Sequence, residues 1–265
     1  MAHGIKKIKE LLLKNPFAYK LYLKKTSYLK NRLNRTPQLD MIYKVEDINS
    51  TYYEKIKTSG DTELEQQIGR LINFKTILEA CTAIKGNVLE LGTYRGFSLL
   101  WIAYFLERQG DFSKRIVGLD SFEGLPYDDG SFRKYAFSNT SHKQCQENVL
   151  GSKQLYHATK KNISIGKFRF NNVAGIGRYL KKRNIQQFCF IHIDCDVSQS
   201  FLESMDLMTK LDLIAPTAYI LFDDYGCPSN LAQTVEKTFS KMSSEWTITT
   251  HSSTRFTKNF KLVRR

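Results

Sequence analysis

The sequence predicts an α/β protein with a mostly parallel sheet covered by helices on both faces. Three observations carry that expectation. From residue 86 onward, short apolar runs alternate with longer stretches at helical spacing. The runs are nearly continuous in apolar residues rather than alternating, which is the pattern of strands buried on both faces. Acidic residues then fall where several of these runs end, and ligands of such sheets bind beyond the carboxyl ends of the strands.

The elements follow in order. Residues 1–35 interleave Lys with Leu, Tyr and Phe and are broken by Pro16, which reads as two short amphipathic helices. Residues 36–60 hold Pro37, Gly60 and mixed polar residues and read as a linker, so the expected division is a basic helical extension over 1–60 and a main domain over 61–265. Thr62 and Glu65 suggest a capping box for a helix whose apolar residues include Ile68, Leu71, Ile72, Ile77 and Leu78. The expected strands are 87–91, 115–120, 162–166, 188–194 and 218–224, with helices over 97–109, in SFLESMDLMTKL and in NLAQTVEKTFSKM. TITTHSS and FKLVRR supply a closing hairpin.

Composition narrows the class. With 42% hydrophobic and 25% charged residues and no run of about eighteen apolar residues, a soluble globular chain is expected. The net charge of +14 suggests a nucleic-acid binder until it is located. Residues 1–35 hold ten Lys or Arg against one acid and residues 255–265 hold five against none, so the intervening body is formally neutral. Nucleic acid is therefore not the expected partner, and the tails suit a lid, a homo-oligomer contact or a peripheral contact with an anionic membrane surface. The five cysteines form no C-x-x-C pair and read as buried thiols of a reducing compartment. Without the uninterrupted apolar core of a signal peptide near its N-terminus, the chain is read as cytoplasmic.

Two stretches carry the chemistry of binding. In ELGTYRGFS, Gly92 and Gly96 allow a sharp turn into a helix whose free N–H groups favour an anion. Asp120 ends the next strand in GLDSFEGLP, where a carboxylate can accept from both hydroxyls of a ribose. That pairing points to a nucleoside ligand without a pyrophosphate, and S-adenosylmethionine fits. Further on, IHIDCD ends with Asp194 and Asp196, and AYILFDDYG ends with Asp223 and Asp224. Four carboxylates at strand ends repel one another unless a cation sits among them. Ligands that are oxygens alone favour Mg2+, with Mn2+ or Ca2+ as alternatives, over zinc. His192, inside an apolar run, reads as a hydrogen-bonded core residue, and His142, in a polar stretch, is placed at the mouth of the site.

ELGTYRGFS, LDSFEGLP, IHIDCDVSQSF and LFDDYG, in that order, resemble the macrocin O-methyltransferase (TylF-like) family over roughly residues 60–245. The resemblance implies a Rossmann-like class I methyltransferase fold with a seven-stranded sheet. It also implies methyl transfer from S-adenosylmethionine to a hydroxyl of a sugar or another polyhydroxylated acceptor, small molecule or glycan, with magnesium. By that resemblance Glu90, Gly92, Ser98 and Asp120 hold the cofactor, joined by Tyr94, Ser121 and Asp194 beside them. Asp194, Asp223 and Asp224 bind the metal. Asp196 is the base, with His142 as a second route for the proton. The family pattern is not kept everywhere: Ser198 stands where a Tyr is usual, Phe97 where a second Gly is usual, and Pro216, Thr217 and Ala218 where a Gly-Gly precedes the last motif.

Overall fold

The computed structural model describes residues 62–227 and 229–265. The expected basic extension over 1–60 and the side chain of Thr62 in the expected capping box lie outside the described residues.

The chain runs α1 (Thr62–Cys81), β1 (Asn87–Leu91), α2 (Phe97–Arg108), β2 (Ile116–Asp120), α3 (His142–Leu150), α4 (His157–Lys161) and β3 (Ile163–Lys167). It continues through α5 (Val173–Lys182), β4 (Phe188–Ile193), α6 (Ser198–Lys210), β5 (Ile214–Phe222), α7 (Leu231–Met242), β6 (Trp246–Ser253) and β7 (Lys258–Arg264). The sheet has seven strands in the order β3-β2-β1-β4-β5-β7-β6. All neighbours pair in parallel except β7, which is antiparallel to both β5 and β6. The predicted α/β class, the parallel body and the closing hairpin are all present.

Connectivity places the site. The chain steps outward from β1 through β2 to β3 and then returns to add β4 on the other side of β1. The carboxyl ends of β1 and β4 therefore flank a topological switch point, where connections leave in opposite directions and open a crevice. All six residues of β4 are buried, as its continuous apolar run requires. Its side chains alternate between faces. Ile191 and Ile193 join Phe201, Met205 and Met208 of α6 and Val235 and Phe239 of α7 in one core. Phe190 and His192 face α1 instead, with ring centroids 6.1 and 4.9 Å from that of Phe74. Each fully buried large side chain in these layers contributes about 1.5–3 kcal/mol.

Three helices were not anticipated. In α3 only Cys145 and Val149 are buried, which leaves no strong apolar stripe, whereas α5 buries Ile176 and Leu180 with Val173 and Tyr179 packed beside the core but is broken in sequence by Gly175 and Gly177. α4 is five residues long. β5 also begins earlier than expected and contains Pro216. The pairing with β4 breaks register between Phe188 and Phe190, so the proline, which cannot donate to a ladder, falls within the irregularity. Among the described residues, no helix is long and apolar enough to cross a membrane.

Candidate functional site

The turn after β1 is shaped by close packing. Gly92 has φ +94°, and a Cβ there would lie 1.8 Å from the carbonyl oxygen of Asp194. Gly96, at φ +84°, would drive a Cβ to 2.4 Å from Val149 Cγ2 on α3. Both glycines thus let neighbouring chain approach, before any ligand is considered. Tyr94 between them has φ +44°, its N–H donates to Asp120 Oδ2 at 2.7 Å, and the Phe122 N–H donates to Asp120 Oδ1 at 2.6 Å. Asp120 is therefore fixed at the end of β2 with further acceptor capacity on both oxygens. Burial raises its pKa, and the bonds from the Phe122, Tyr94 and Thr93 backbone oppose the rise. Ser121 accepts from the N–H of Glu123 at 3.1 Å and shapes the next turn.

Asp194 and Asp196 follow β4, and Asp223 and Asp224 follow β5. The Asp194 N–H donates to Leu91 O at 2.9 Å, prolonging the β1–β4 pairing to the site, and Asp196 has φ +58°. One ligand atom each from Asp194, Asp196 and Asp224 lies within 4.8 Å of the others, and the same holds for His192, Asp194 and Asp223. Burial, then repulsion from Asp223, holds Asp194 well above the usual carboxylate range. Burial, then Asp224 and Asp194, does the same to Asp196. Asp223 is raised to about 7 by burial, with Arg70 opposing. Such a cluster is stabilised by added positive charge, so the donor set suits a hard divalent cation held by oxygens.

Two residues of the cluster come from α1 and carry no motif signal. Arg70 pairs with Asp223 through Nη2, and its Nη1 lies 3.9 Å from Asp194 Oδ2 and donates to Ser98 Oγ at 3.2 Å. Gln66 Nε2 donates to Asp224 Oδ1 at 3.2 Å. Ser98 is therefore linked to the acids through Arg70. Glu90 faces His192 across the β1–β4 register, its Oε1 3.1 Å from His192 Nδ1. Glu90 Oε2 and His192 Nε2 are buried without a hydrogen-bond partner among the described residues. Burial, then the charge of Arg70, lowers the His192 pKa well below its ordinary value, so the ring is neutral. Burial, then Asp194, raises that of Glu90.

His142 is not brought to the acids. Its Nε2 lies 2.9 Å from Ile165 O on β3, and its ring stands 5.3 Å from that of Phe122. β3 is separated from β4 by β2 and β1. A further residue escaped notice in the sequence. Asp129 is buried and accepts from Ser198 N–H at 2.8 Å and from Asn230 N–H and Nδ2 at 3.0 and 2.9 Å. It ties the loop after β2 to the starts of α6 and α7, and Ser198, at a departure from the family pattern, is one of its anchors.

A sheet in this order with only β7 reversed, opening at its switch point beside a glycine turn and an acid at the end of β2, is the architecture of S-adenosylmethionine-dependent class I methyltransferases. The family model for macrocin-O-methyltransferase (TylF) matches residues 65–247, and the chain belongs to that family of O-methyltransferases. Two solved structures show the likeness of fold. The O-methyltransferase NovP superposes with a TM-score of 0.58 at 16% identity, over 74% of this chain and 81% of NovP. The calicheamicin methyltransferase CalS11 gives a TM-score of 0.58 at 12% identity, over 86% of this chain and 90% of CalS11. Among curated proteins, no sequence matches this chain.

Proposed function

We propose that this chain transfers a methyl group from S-adenosylmethionine to a hydroxyl of a sugar or another polyhydroxylated small molecule, assisted by a divalent cation, magnesium first. The observation that carries this reading is the convergence of Asp194, Asp196 and Asp224 within 4.8 Å at the switch point of the sheet. A sugar acceptor is further supported by CalS11, described as a TDP-rhamnose 3'-O-methyltransferase, to which this fold is similar at a TM-score of 0.53 and 14% identity. Residues 1–60 are assigned to a lid, an oligomer contact or a surface anchor.

Bound in the crevice, S-adenosylmethionine supplies an electrophilic methyl group, and a divalent cation supplies charge stabilisation to an oxygen losing its proton. The chain's residues do the rest. Asp120 accepts from the ribose hydroxyls, while Tyr94, Ser121, Ser98, Glu90 and the Gly92 turn shape the cofactor side. Asp194, Asp223 and Asp224 would hold the cation. Asp196 takes the proton of the acceptor hydroxyl on a carboxylate oxygen, and burial, then Asp224 and Asp194, raises its pKa, the direction that strengthens a base. Holding acceptor and donor in register supplies much of the acceleration.

A chelator is expected to abolish methyl transfer to the best acceptor from a panel of glycosides, nucleotide sugars and lipid-linked glycans, and excess magnesium to restore it. Full activity in excess chelator rejects the metal. Asp120→Ala is expected to weaken S-adenosylmethionine binding, measured by calorimetry, by about 1.5–3 kcal/mol through lost hydrogen bonds to a charged acceptor. Unchanged affinity in a folded Asp120→Ala protein would remove the ribose from that strand end.

A further inference from the structure

The body of this chain is formally neutral, but the fold does not spread its charge evenly. Four acids gather at the carboxyl ends of β4 and β5, while exposed cations gather at the amino ends of the strands on the other side of the switch point. Lys85 precedes β1, Arg115 precedes β2 and Lys161 precedes β3, three strands that stand side by side. Lys181 and Lys182 join them from the last turn of α5. That turn is fixed to the same end, because Arg115 Nη1 donates to Arg183 O at 2.5 Å. All five residues are exposed, and among the described residues none of them makes an ion pair. Two aromatic residues stand out beside them, Phe112 at 44% exposed and Tyr156 at 64%. Asn162 Nδ2, next to Lys161, donates to Phe112 O at 2.8 Å, and the Tyr156 N–H donates to Glu107 Oε2 at 2.7 Å at the end of α2, so anchored backbone carries both rings. Asp111, the acid beside Phe112, is engaged by Ser113 and lies 3.8 Å from Lys114.

We propose that this amino end of the sheet is a docking surface for an anionic lipid bilayer, with Phe112 and Tyr156 entering the headgroup layer and Lys85, Arg115, Lys161, Lys181 and Lys182 facing lipid phosphates and carboxylates. Basic side chains near such a surface each add to binding, and aromatic rings settle at the boundary of headgroups and acyl chains. Cations spread over the ends of elements that stand side by side suit a planar anionic surface, whereas single-stranded nucleic acid asks for a groove that tracks its backbone. None of these residues belongs to the basic segments 1–35 and 255–265, so the surface is a feature of the folded body. The switch-point crevice opens at the opposite ends of the strands. A docked molecule therefore presents its crevice to solvent and takes its acceptor from that side.

The test is co-sedimentation of the full chain with phosphatidylcholine vesicles that contain or lack phosphatidylserine. The wild type should bind the anionic vesicles, and Lys181→Gln/Lys182→Gln should bind them about tenfold more weakly or worse. Lys134→Gln/Lys143→Gln removes the same charge from the carboxyl-end side, in the loop after β2 and the first turn of α3, and should stay within about threefold of the wild type. Phe112→Trp reads the ring itself. Its emission should move to the blue with anionic vesicles and not with phosphatidylcholine alone, against a constant background from Trp101 and Trp246, which are buried. Equal losses in the two lysine pairs overturn the proposal, because binding then follows net charge or the basic tails. A Phe112→Trp emission that does not move overturns it too, as does a wild type that prefers a single-stranded RNA oligonucleotide to the vesicles in competition. Methyl transfer measured without vesicles should be unchanged in Lys181→Gln/Lys182→Gln and Phe112→Trp, so failure of the docking surface leaves the proposed reaction standing.

Discussion

Asp196→Asn is expected to slow methyl transfer by roughly 10²–10⁴ at saturating magnesium, the usual effect of losing a general base. Asparagine keeps the size of the side chain and an oxygen able to face a cation, but it cannot take a proton at neutral pH. It also keeps the backbone, because Asp196 has φ +58° and asparagine tolerates that left-handed region better than most residues. The rate must be read at saturating metal, since one negative charge is lost and cation affinity falls with it. Burial, then Asp224 and Asp194, raises the carboxyl of Asp196, and the base must be ionised to act. The wild-type rate should therefore rise with pH through a limb above the ordinary carboxylate range, moved downward by bound cation, and the variant should lose that limb. S-adenosylmethionine binding should survive. A variant as fast as the wild type would show that the proton leaves by another route.

The parts of this protein legible in the sequence are those whose burial is complete. β4 was readable because every residue from Phe188 to Ile193 is buried and its apolar run is continuous. Asp194, Asp196, Asp223 and Asp224 were readable because acids that terminate such runs need a reason. α5 was not, because Gly175 and Gly177 interrupt a helix whose only buried residues are Ile176 and Leu180. Arg70 was invisible for a different reason. It is one cation on a surface-looking helix, and its partners Asp223, Asp194 and Ser98 are brought to it only by tertiary packing. Asp129 likewise reads as a loop acid in YDDGSF, and nothing local shows that it braces the starts of two distant helices. His142 was placed at the site because it follows β2 in a polar stretch, but α3 packs it against β3, toward the edge of the sheet.

Gly92→Ala is expected to be the most damaging single methyl group that can be added near the site. The residue has φ +94°, a conformation costly for any side chain. Its new Cβ would lie 1.8 Å from Asp194 O and 2.7 Å from Asp194 C, both backbone atoms that no rotamer change can move. Nor can β1 retreat easily, because the Gly92 N–H donates to Leu119 O and the Asp194 N–H to Leu91 O, each at 2.9 Å. The carboxyl ends of β1 and β4 must therefore separate, and overpacking adds to backbone strain for a loss of about 3 kcal/mol or more. For a chain of this size that lowers the melting temperature by roughly 6–12 °C. Displacing Asp194 should also weaken Mn2+ binding in whatever fraction remains folded. Gly110→Ala is the matched control: Gly110 has φ +70° but a Cβ there meets nothing within 4 Å, so only the backbone cost of about 1–2 kcal/mol applies. A Gly92→Ala protein that melts no lower than Gly110→Ala would mean that the two strand ends yield without cost, and the tight abutment of β1 on Asp194 would then not be what holds that carboxylate in place.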